Sequence, residues 1–187
     1  MGMKRARSKI LFFTMSQLNL PEVWLRGPVE GIPALLQPVV HALLQAQEEI
    51  HQLIQAFPEA LLWQQPAGVA SPGFHLQHMT GVLDRLFTYA RGNMLSQEQL
   101  DFLKAEGRPA ENVTLHTLLA AFDHQLNLSF DQLKEMDPSL LTEARTVGRK
   151  QLPSTVLGLL FHAAEHTMRH TGQLLVTVKV LVHGTGS

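Results

Sequence analysis

Residues 153–182, PSTVLGLLFHAAEHTMRHTGQLLVTVKVLV, combine a long run of apolar residues at helical spacing with three histidines. Successive side chains of an α-helix are about 100° apart, so residues three or four positions apart share a face. The apolar face here is defined by Val156, Ala163, Thr167, Leu174 and Leu181. The pattern predicts one long amphipathic helix that starts near Pro153 and ends at about Val182.

Three other long segments have the same periodicity, and strand-like alternation is nearly absent from the chain. They run from about Pro33 to Phe57, from about Ser71 to Gly92 and from about Thr114 to Met136. The second begins with Ser-Pro, which is typical of a helix start. A shorter helix is predicted from Gln97 to Ala105. Four long amphipathic helices predict an all-α fold, a four-helix bundle. Because the connection from Arg91 to Val113 is too long for a tight hairpin, we expect one longer crossover connection.

Composition limits the domain organisation and the possible chemistry. A chain of 187 residues with 45% hydrophobic content can bury one sizeable core, so we expect a single domain over residues 29–183 after an N-terminal extension over residues 1–28. The formal charge of -1 provides no basic field for nucleic acid. The chain has no cysteine, which excludes disulfides, cysteine-ligated zinc and a thiol nucleophile from the protein itself.

The extension resembles a secretory signal only superficially. KRARSK at residues 4–9 is followed by the apolar run ILFFTM at residues 10–15, but the run is short and no small-residue cleavage pattern follows it. We expect a partly disordered extension instead. No apolar stretch reaches the roughly 20 residues that span a bilayer, so the sequence predicts no membrane partner and a cytoplasmic location.

The three histidines of the last helix differ in how they face its apolar side. His170 lies nearest to the apolar direction, His166 flanks it and His162 lies farthest away. Side chains four residues apart are neighbours, so either His166 with His170 or His162 with His166 can offer two nitrogens to one metal ion. The inward facing of His170 favours the later pair.

The earlier pair belongs to a competing motif. His162-Ala-Ala-Glu165-His166 fits H-x-x-E-H, the inverted zincin pattern in which two histidines bind zinc and the glutamate acts as a base. That pattern needs a further ligand, usually downstream, and no Glu or Asp follows His166. Glu165 also points away from the apolar face. We interpret the motif as a chance product of a histidine-rich helix.

A third ligand is expected from another helix. Residues 71–92, SPGFHLQHMTGVLDRLFTYARG, contain His75 and His78. Periodicity slightly favours His75, which lies nearer the apolar centre, but the residues alone leave the choice open. The remaining histidines have no partner at helical spacing, and we expect them to be solvated or otherwise satisfied: His41, His51, His116, His124 and His183.

Taken together, these two histidine-containing segments resemble those of the DinB family, which includes the YfiT-like thiol transferases. The resemblance extends from about Pro33 to Val182, and its most specific parts are GFHLQHMTGVLDRL and H-x-x-x-H-x-G-Q from His166 to Gln173. It implies a four-helix bundle, commonly a homodimer, whose metal site uses one histidine of the second helix and both histidines of H-x-x-x-H.

The family's second-helix ligand is the histidine followed by an apolar and a small residue. In this chain that residue is His78, before Met79-Thr80. The resemblance therefore selects His78, His166 and His170 as metal ligands and overrules the periodicity. It leaves His75 to pack nearby or to support the ligands from the second coordination sphere.

Three neutral imidazoles would hold a divalent ion, either Zn, Ni, Fe or Mn, and leave a position open for water or substrate. Such an ion can lower the pKa of bound water or of a substrate thiol. We therefore expect a metal-dependent thiol S-transferase or small-molecule hydrolase, with a small-molecule substrate such as a low-molecular-weight thiol. The alternative is a non-catalytic, stress-related helical protein that binds metal. No side chain stands out as a catalytic base.

Four residues near the motifs have weaker assignments. Gly172 can allow a neighbouring helix to approach closely or simply pack, and Gln173 can orient a ligand or simply pack. Asp84 and Arg85 can form an ion pair or contact substrate.

Overall fold

The computed structural model describes residues 20–184, so the expectations for residues 4–15 lie outside the described part of the chain. Within it, helices dominate and the only strands form a short antiparallel hairpin. The elements are α1 (Gln37–Ile54), α2 (Pro72–Ala90), α3 (Gln97–Ala105), α4 (Leu115–Glu135), β1 (Ala144–Val147), β2 (Leu152–Thr155) and α5 (Val156–Gly184). The predicted all-α bundle is confirmed.

The four long helices pack around one apolar core. α2 packs along α5 and α4, and α1 packs along α5. Each long helix contributes fully buried side chains, including Leu43, Ile50, Leu76, Leu83, Phe87, Phe122, Leu126, Leu133, Leu160 and Leu174. Burying a side chain of this size contributes roughly 1.5–3 kcal/mol. The core therefore holds α2 and α5 firmly side by side.

Local capping explains why the helix starts could be predicted. The Ser71 hydroxyl accepts a hydrogen bond from the backbone N–H of Phe74 at 3.2 Å, and Pro72 occupies the first turn of α2. Ser96 and Thr114 cap α3 and α4 in the same way. These residues satisfy backbone N–H groups that have no partner within the helix.

The long connection over residues 91–114 contains α3 and joins α2 to α4, which pack against each other. The helix pairs linked by the other two connections, residues 55–71 and 136–155, make far less direct contact. The chain therefore passes across the bundle twice, between α1 and α2 and between α4 and α5.

The start of α5 differs from the sequence-based expectation. Pro153 lies in β2, opposite Thr146 of β1, and the helix begins only at Val156. The Thr155 hydroxyl accepts a hydrogen bond from the backbone N–H of Gly158 at 3.0 Å, which is the bond expected of an N-cap. The strands have only four residues each, too few for their alternation to stand out in the sequence.

Residues 20–28 lie against α1. Val23 is buried and its backbone N–H donates to Oε1 of Gln45 at 2.9 Å, while Arg26 forms an ion pair of 2.6 Å with Glu48. The predicted boundary between an extension and a domain at residue 29 stays a prediction. No helix between residues 20 and 184 is long and apolar enough to cross a bilayer.

Candidate metal centre

The packing of α2 on α5 brings the three predicted ligands together. Ligand atoms of His78, His166 and His170 all lie within 4.8 Å of one another. The Nε2 atoms of His78 and His166 are 3.0 Å apart, and the ring centre of His170 is 4.6 Å from the ring centres of both. These three histidines therefore can hold a metal ion.

The surroundings keep two of these imidazoles neutral. Burial, followed by the neighbouring charge of His78, lowers the pKa of His166 to about 4. Burial, followed by the charges of His78 and His166, lowers the pKa of His170 to about 3. A neutral imidazole keeps one nitrogen lone pair free, which is the form that binds metal.

One ring nitrogen of the group has no protein partner. Nδ1 of His166 is buried and forms no hydrogen bond within residues 20–184. Buried polar atoms are nearly always paired, and an exception often indicates an ion or ligand that the polypeptide itself does not supply. The unpaired nitrogen and the three-imidazole donor set therefore fit a divalent cation.

A buried carboxylate adjoins His78. Oε2 of Glu106 lies 2.6 Å from Nδ1 of His78, and Oε1 of Glu106 lies 2.7 Å from Nη1 of Arg85. The side chains of Glu106 and Arg85 are 5% and 10% exposed, so water hardly screens this pair. A carboxylate at this position accepts a hydrogen bond from Nδ1–H, which keeps the proton on Nδ1 and leaves the Nε2 lone pair free for a metal.

Two glycines allow Glu106 to reach this position. A Cβ atom at Gly81 would lie 2.5 Å from both Nη1 of Arg85 and Oε1 of Glu106, so the ion pair crosses α2 where this helix has no side chain. Gly107 has a φ of 78°, and its N–H donates to Oε1 of Gln77 at 2.7 Å. This turn fixes the end of α3 on α2.

Glu106 was not predicted from the sequence. The signals that point to it are a glycine inside α2 and a Glu-Gly pair directly after α3, because glycine is unfavourable in a helix and favourable at a helix stop. Arg85, for which an ion pair was one expectation, pairs with Glu106. Asp84 instead lines a polar groove with Thr88 and Arg91 near the end of α2.

His75 lies beside the group of three without belonging to it. It is 3% exposed, and its Nδ1 is 3.0 Å from Nδ1 of His170. Burial, and then the charge of His78, lowers its pKa to about 4. Periodicity therefore identified the more buried histidine of α2, whereas the resemblance identified the one whose ligand atom joins the group. Phe74 stacks on His78, with ring centres 5.1 Å apart.

The H-x-x-E-H residues form a second group, in which ligand atoms of His162, Glu165 and His166 lie within 4.8 Å. Nδ1 of His162 is 2.7 Å from Oε1 of Glu165, and Oε2 of Glu165 is 2.6 Å from Nη2 of Arg169. Both carboxylate oxygens are therefore engaged, and the group comes from one face of one helix. It shares His166 with the first group, so the two compete for that residue.

The remaining histidines lie apart from the site. Nε2 of His41 is 3.0 Å from the carbonyl oxygen of Gly27, and Nε2 of His51 is 2.9 Å from Oδ1 of Asp123. The side chains of the others are exposed at the surface: His116, His124 and His183.

Sequence comparison identifies the family. A search of curated proteins found no match. The sequence model of the DinB superfamily matches residues 42–174, well over half of the chain. The matched range includes the helix that provides His78 and the part of α5 that provides His166 and His170. The chain therefore belongs to the DinB superfamily.

Proposed function

We propose that the protein is a divalent-metal-dependent enzyme whose metal ligands are His78, His166 and His170. The observation that carries the proposal is the convergence of these three imidazoles, from two rigid helices, within 4.8 Å. Side chains held on packed helices position ligands more precisely than loops do. Zn, Ni, Fe and Mn are all compatible with imidazole donors.

The site has the open form of a catalytic centre. A structural zinc site usually has four protein ligands, whereas a catalytic site has three and keeps a position for substrate. No fourth ligand joins the group among residues 20–184. All three histidines are partly exposed, so a small molecule can approach them from solvent.

The proposed reaction is attack of a small-molecule thiol sulfur on an electrophilic carbon: a C–S bond forms as the bond to the leaving group, a halide or an epoxide oxygen, breaks, and the thiol proton passes to solvent or to that oxygen. A bound divalent ion would favour deprotonation of a substrate thiol at neutral pH. Because the chain has no cysteine, the thiol must come from a small molecule. Hydrolysis of a small substrate is the related reaction in which water replaces the thiol.

Neighbouring side chains orient the ligands. Glu106 holds the proton of His78 on Nδ1, and Arg85 holds Glu106 in place. Nδ1 of His75 lies 3.0 Å from Nδ1 of His170, and this contact restricts the orientation of that ring. The role proposed for these residues is to position the metal ligands, and no contact with the substrate is assigned to them.

One observation favours a non-catalytic role. Each oxygen of Glu106 already has a partner, His78 or Arg85, so this carboxylate supports a ligand and is less available as a base for a substrate. A protein that binds metal without turnover is therefore the second candidate. Assembly as a homodimer, a small-thiol partner and a cytoplasmic location stay predictions.

Elemental analysis of the purified protein tests the metal, and a screen of small thiols with alkyl halide or epoxide electrophiles tests the reaction. Turnover should require the thiol, disappear on chelation and return with one divalent ion. A hydrolase would respond to chelation yet act on esters or amides without any thiol. If the loaded, folded protein catalyses neither reaction and its metal is inaccessible to imidazole and azide, the non-catalytic role is correct.

A further inference from the structure

A cavity of about 520 Å³ lies between α5 and the segment that leads into α2. Ligand-binding pockets typically enclose roughly 300–1,000 Å³. The residues that line it include Val69, His75, Arg169, Gly172, Gln173 and Val176. His75 is shared with the candidate metal centre, since it contacts His170 on one side and lines the cavity as well.

The packing of the protein does not require a glycine at the position of Gly172. It lies inside α5, where glycine is less favourable than alanine, and its φ is not in the left-handed region. Beyond the backbone of α5 and the two adjacent residues, a Cβ atom there would meet no atom of residues 20–184 within 4 Å, so the glycine is not required for the close approach of another helix either. The effect of the missing side chain is to leave space in the wall of the cavity.

The polar groups of the cavity include free hydrogen-bond donors. Within residues 20–184, Arg169 uses only Nη2, in its contact with Glu165, so Nε and Nη1 are available. Among the same residues, Gln173 forms no side-chain hydrogen bond and His75 uses only Nδ1. None of the described residues that line the cavity is acidic. The site therefore favours a ligand that accepts hydrogen bonds over a cation.

The rest of the wall is aliphatic. Val69 and Val176 are 50% and 60% exposed, so their side chains offer apolar surface to a ligand. We propose that this cavity binds a small apolar carboxylate, with the hydrocarbon part against the valines and over Gly172, and the carboxylate on the guanidinium of Arg169. Arginine is well suited to this role because its planar group can donate two parallel hydrogen bonds to a carboxylate.

The proposal goes beyond the metal chemistry and does not depend on it. Gly172, Gln173 and Val176 belong to neither group of candidate metal ligands. Binding can therefore be measured on the complete chain after chelation, without reference to turnover.

Titration calorimetry with octanoate, octanol and octyltrimethylammonium tests the ligand class. Octanoate should bind at least about tenfold more tightly than the other two, and Arg169→Gln should remove that preference because it removes the charge-assisted hydrogen bonds. In nuclear magnetic resonance spectra, octanoate should shift the ring signals of His75. Failure of octanoate to bind, or equal binding of octanoate and octanol, would overturn the proposed ligand class.

Gly172→Leu tests the location, because the new side chain would occupy the cavity without meeting protein atoms near Cβ. It should weaken octanoate binding about tenfold or more, while Gly172→Ala should retain most of it. Val180→Leu is the matched control, an exposed α5 position outside the lining residues. Circular dichroism checks that each variant is folded. Unchanged binding in folded Gly172→Leu would show that octanoate binds elsewhere, whatever the metal content.

Discussion

The buried carboxylate of Glu106 lies 2.6 Å from Nδ1 of His78, and this is the closest support that any ligand of the candidate metal centre receives within residues 20–184. The same carboxylate is held by Arg85 at 2.7 Å. A connection between helices thus reaches into the bundle and determines which nitrogen of a bundle histidine faces the site. The first prediction follows from this contact.

Replacing Glu106 should weaken metal binding without preventing it. Carboxylates that hydrogen-bond to a ligating histidine typically raise metal affinity about 10–100-fold. We therefore expect Glu106→Gln to raise the dissociation constant by about that factor, as measured by competition with a chelator. The matched control is Glu111→Gln, because Glu111 is exposed and lies outside the site. Equal affinities of the folded variants would show that the contact has no role in metal binding.

Removing the ligands themselves should have a larger effect. His78→Ala, His166→Ala and His170→Ala should each lose most of the metal measured by elemental analysis, because each removes one of three donors. His162→Ala should retain it, and His75→Ala should retain part of it. The opposite pattern, with metal lost in His162→Ala and kept in His170→Ala, would assign the ion to the H-x-x-E-H group.

Replacing either of two helical glycines by alanine should change the free energy of unfolding, in opposite directions. Gly81→Ala places Cβ 2.5 Å from the Arg85–Glu106 pair, and overpacking of this kind typically lowers the free energy of unfolding by about 1–3 kcal/mol. Gly172→Ala meets nothing within 4 Å and should raise it by about 0.4–1 kcal/mol. Urea denaturation measures both. A stable Gly81→Ala protein with unchanged metal affinity would contradict the proposed crossing of the ion pair over α2.

Acid should destabilise the metal-free protein over a defined range. The folded-state pKa values of His75 and His166 are about 4, and that of His170 is about 3, all below the ordinary value of 6.5. Between these values the unfolded chain binds protons that the folded chain does not, so stability falls as the pH drops from about 6.5 to about 4.

The midpoint of urea denaturation, measured with chelator present, should therefore decrease over that range and change little from pH 7 to pH 8. In His75→Asn the decrease should be smaller, since one of the three contributing groups is gone. A midpoint that stays constant from pH 6.5 to pH 4 would show that these imidazoles are not held neutral.

Much of the fold could be predicted from the sequence because the residues that start and end the helices act locally. The caps Ser71, Ser96 and Thr114 act within one helical turn, and the predicted start and end of α3 agree with the structure. The histidine pair of α5 was also accessible, since its spacing fixes it on one face. The H-x-x-x-H pair therefore needed no tertiary information.

The parts that were missed depend on tertiary contacts. The apolar periodicity of a helix predicts which side chains are buried, and for this reason it favoured His75. It does not predict which ring nitrogen of a histidine faces another helix. Glu106 is remote in sequence from both histidine motifs, and only the turn at Gly107 places it on His78. The hairpin that precedes α5 is stabilised by pairing between two strands that are each too short to predict alone.

The small helix α3 buries no residue of its own, although it lies against α2. The stability of the bundle therefore depends little on it, while the electrostatic environment of His78 depends on the glutamate at its end. The two roles therefore belong to different parts of the chain. Residues 93–110 can be redesigned or exchanged to change the affinity for metal, while the apolar core that holds the histidines in position stays the same.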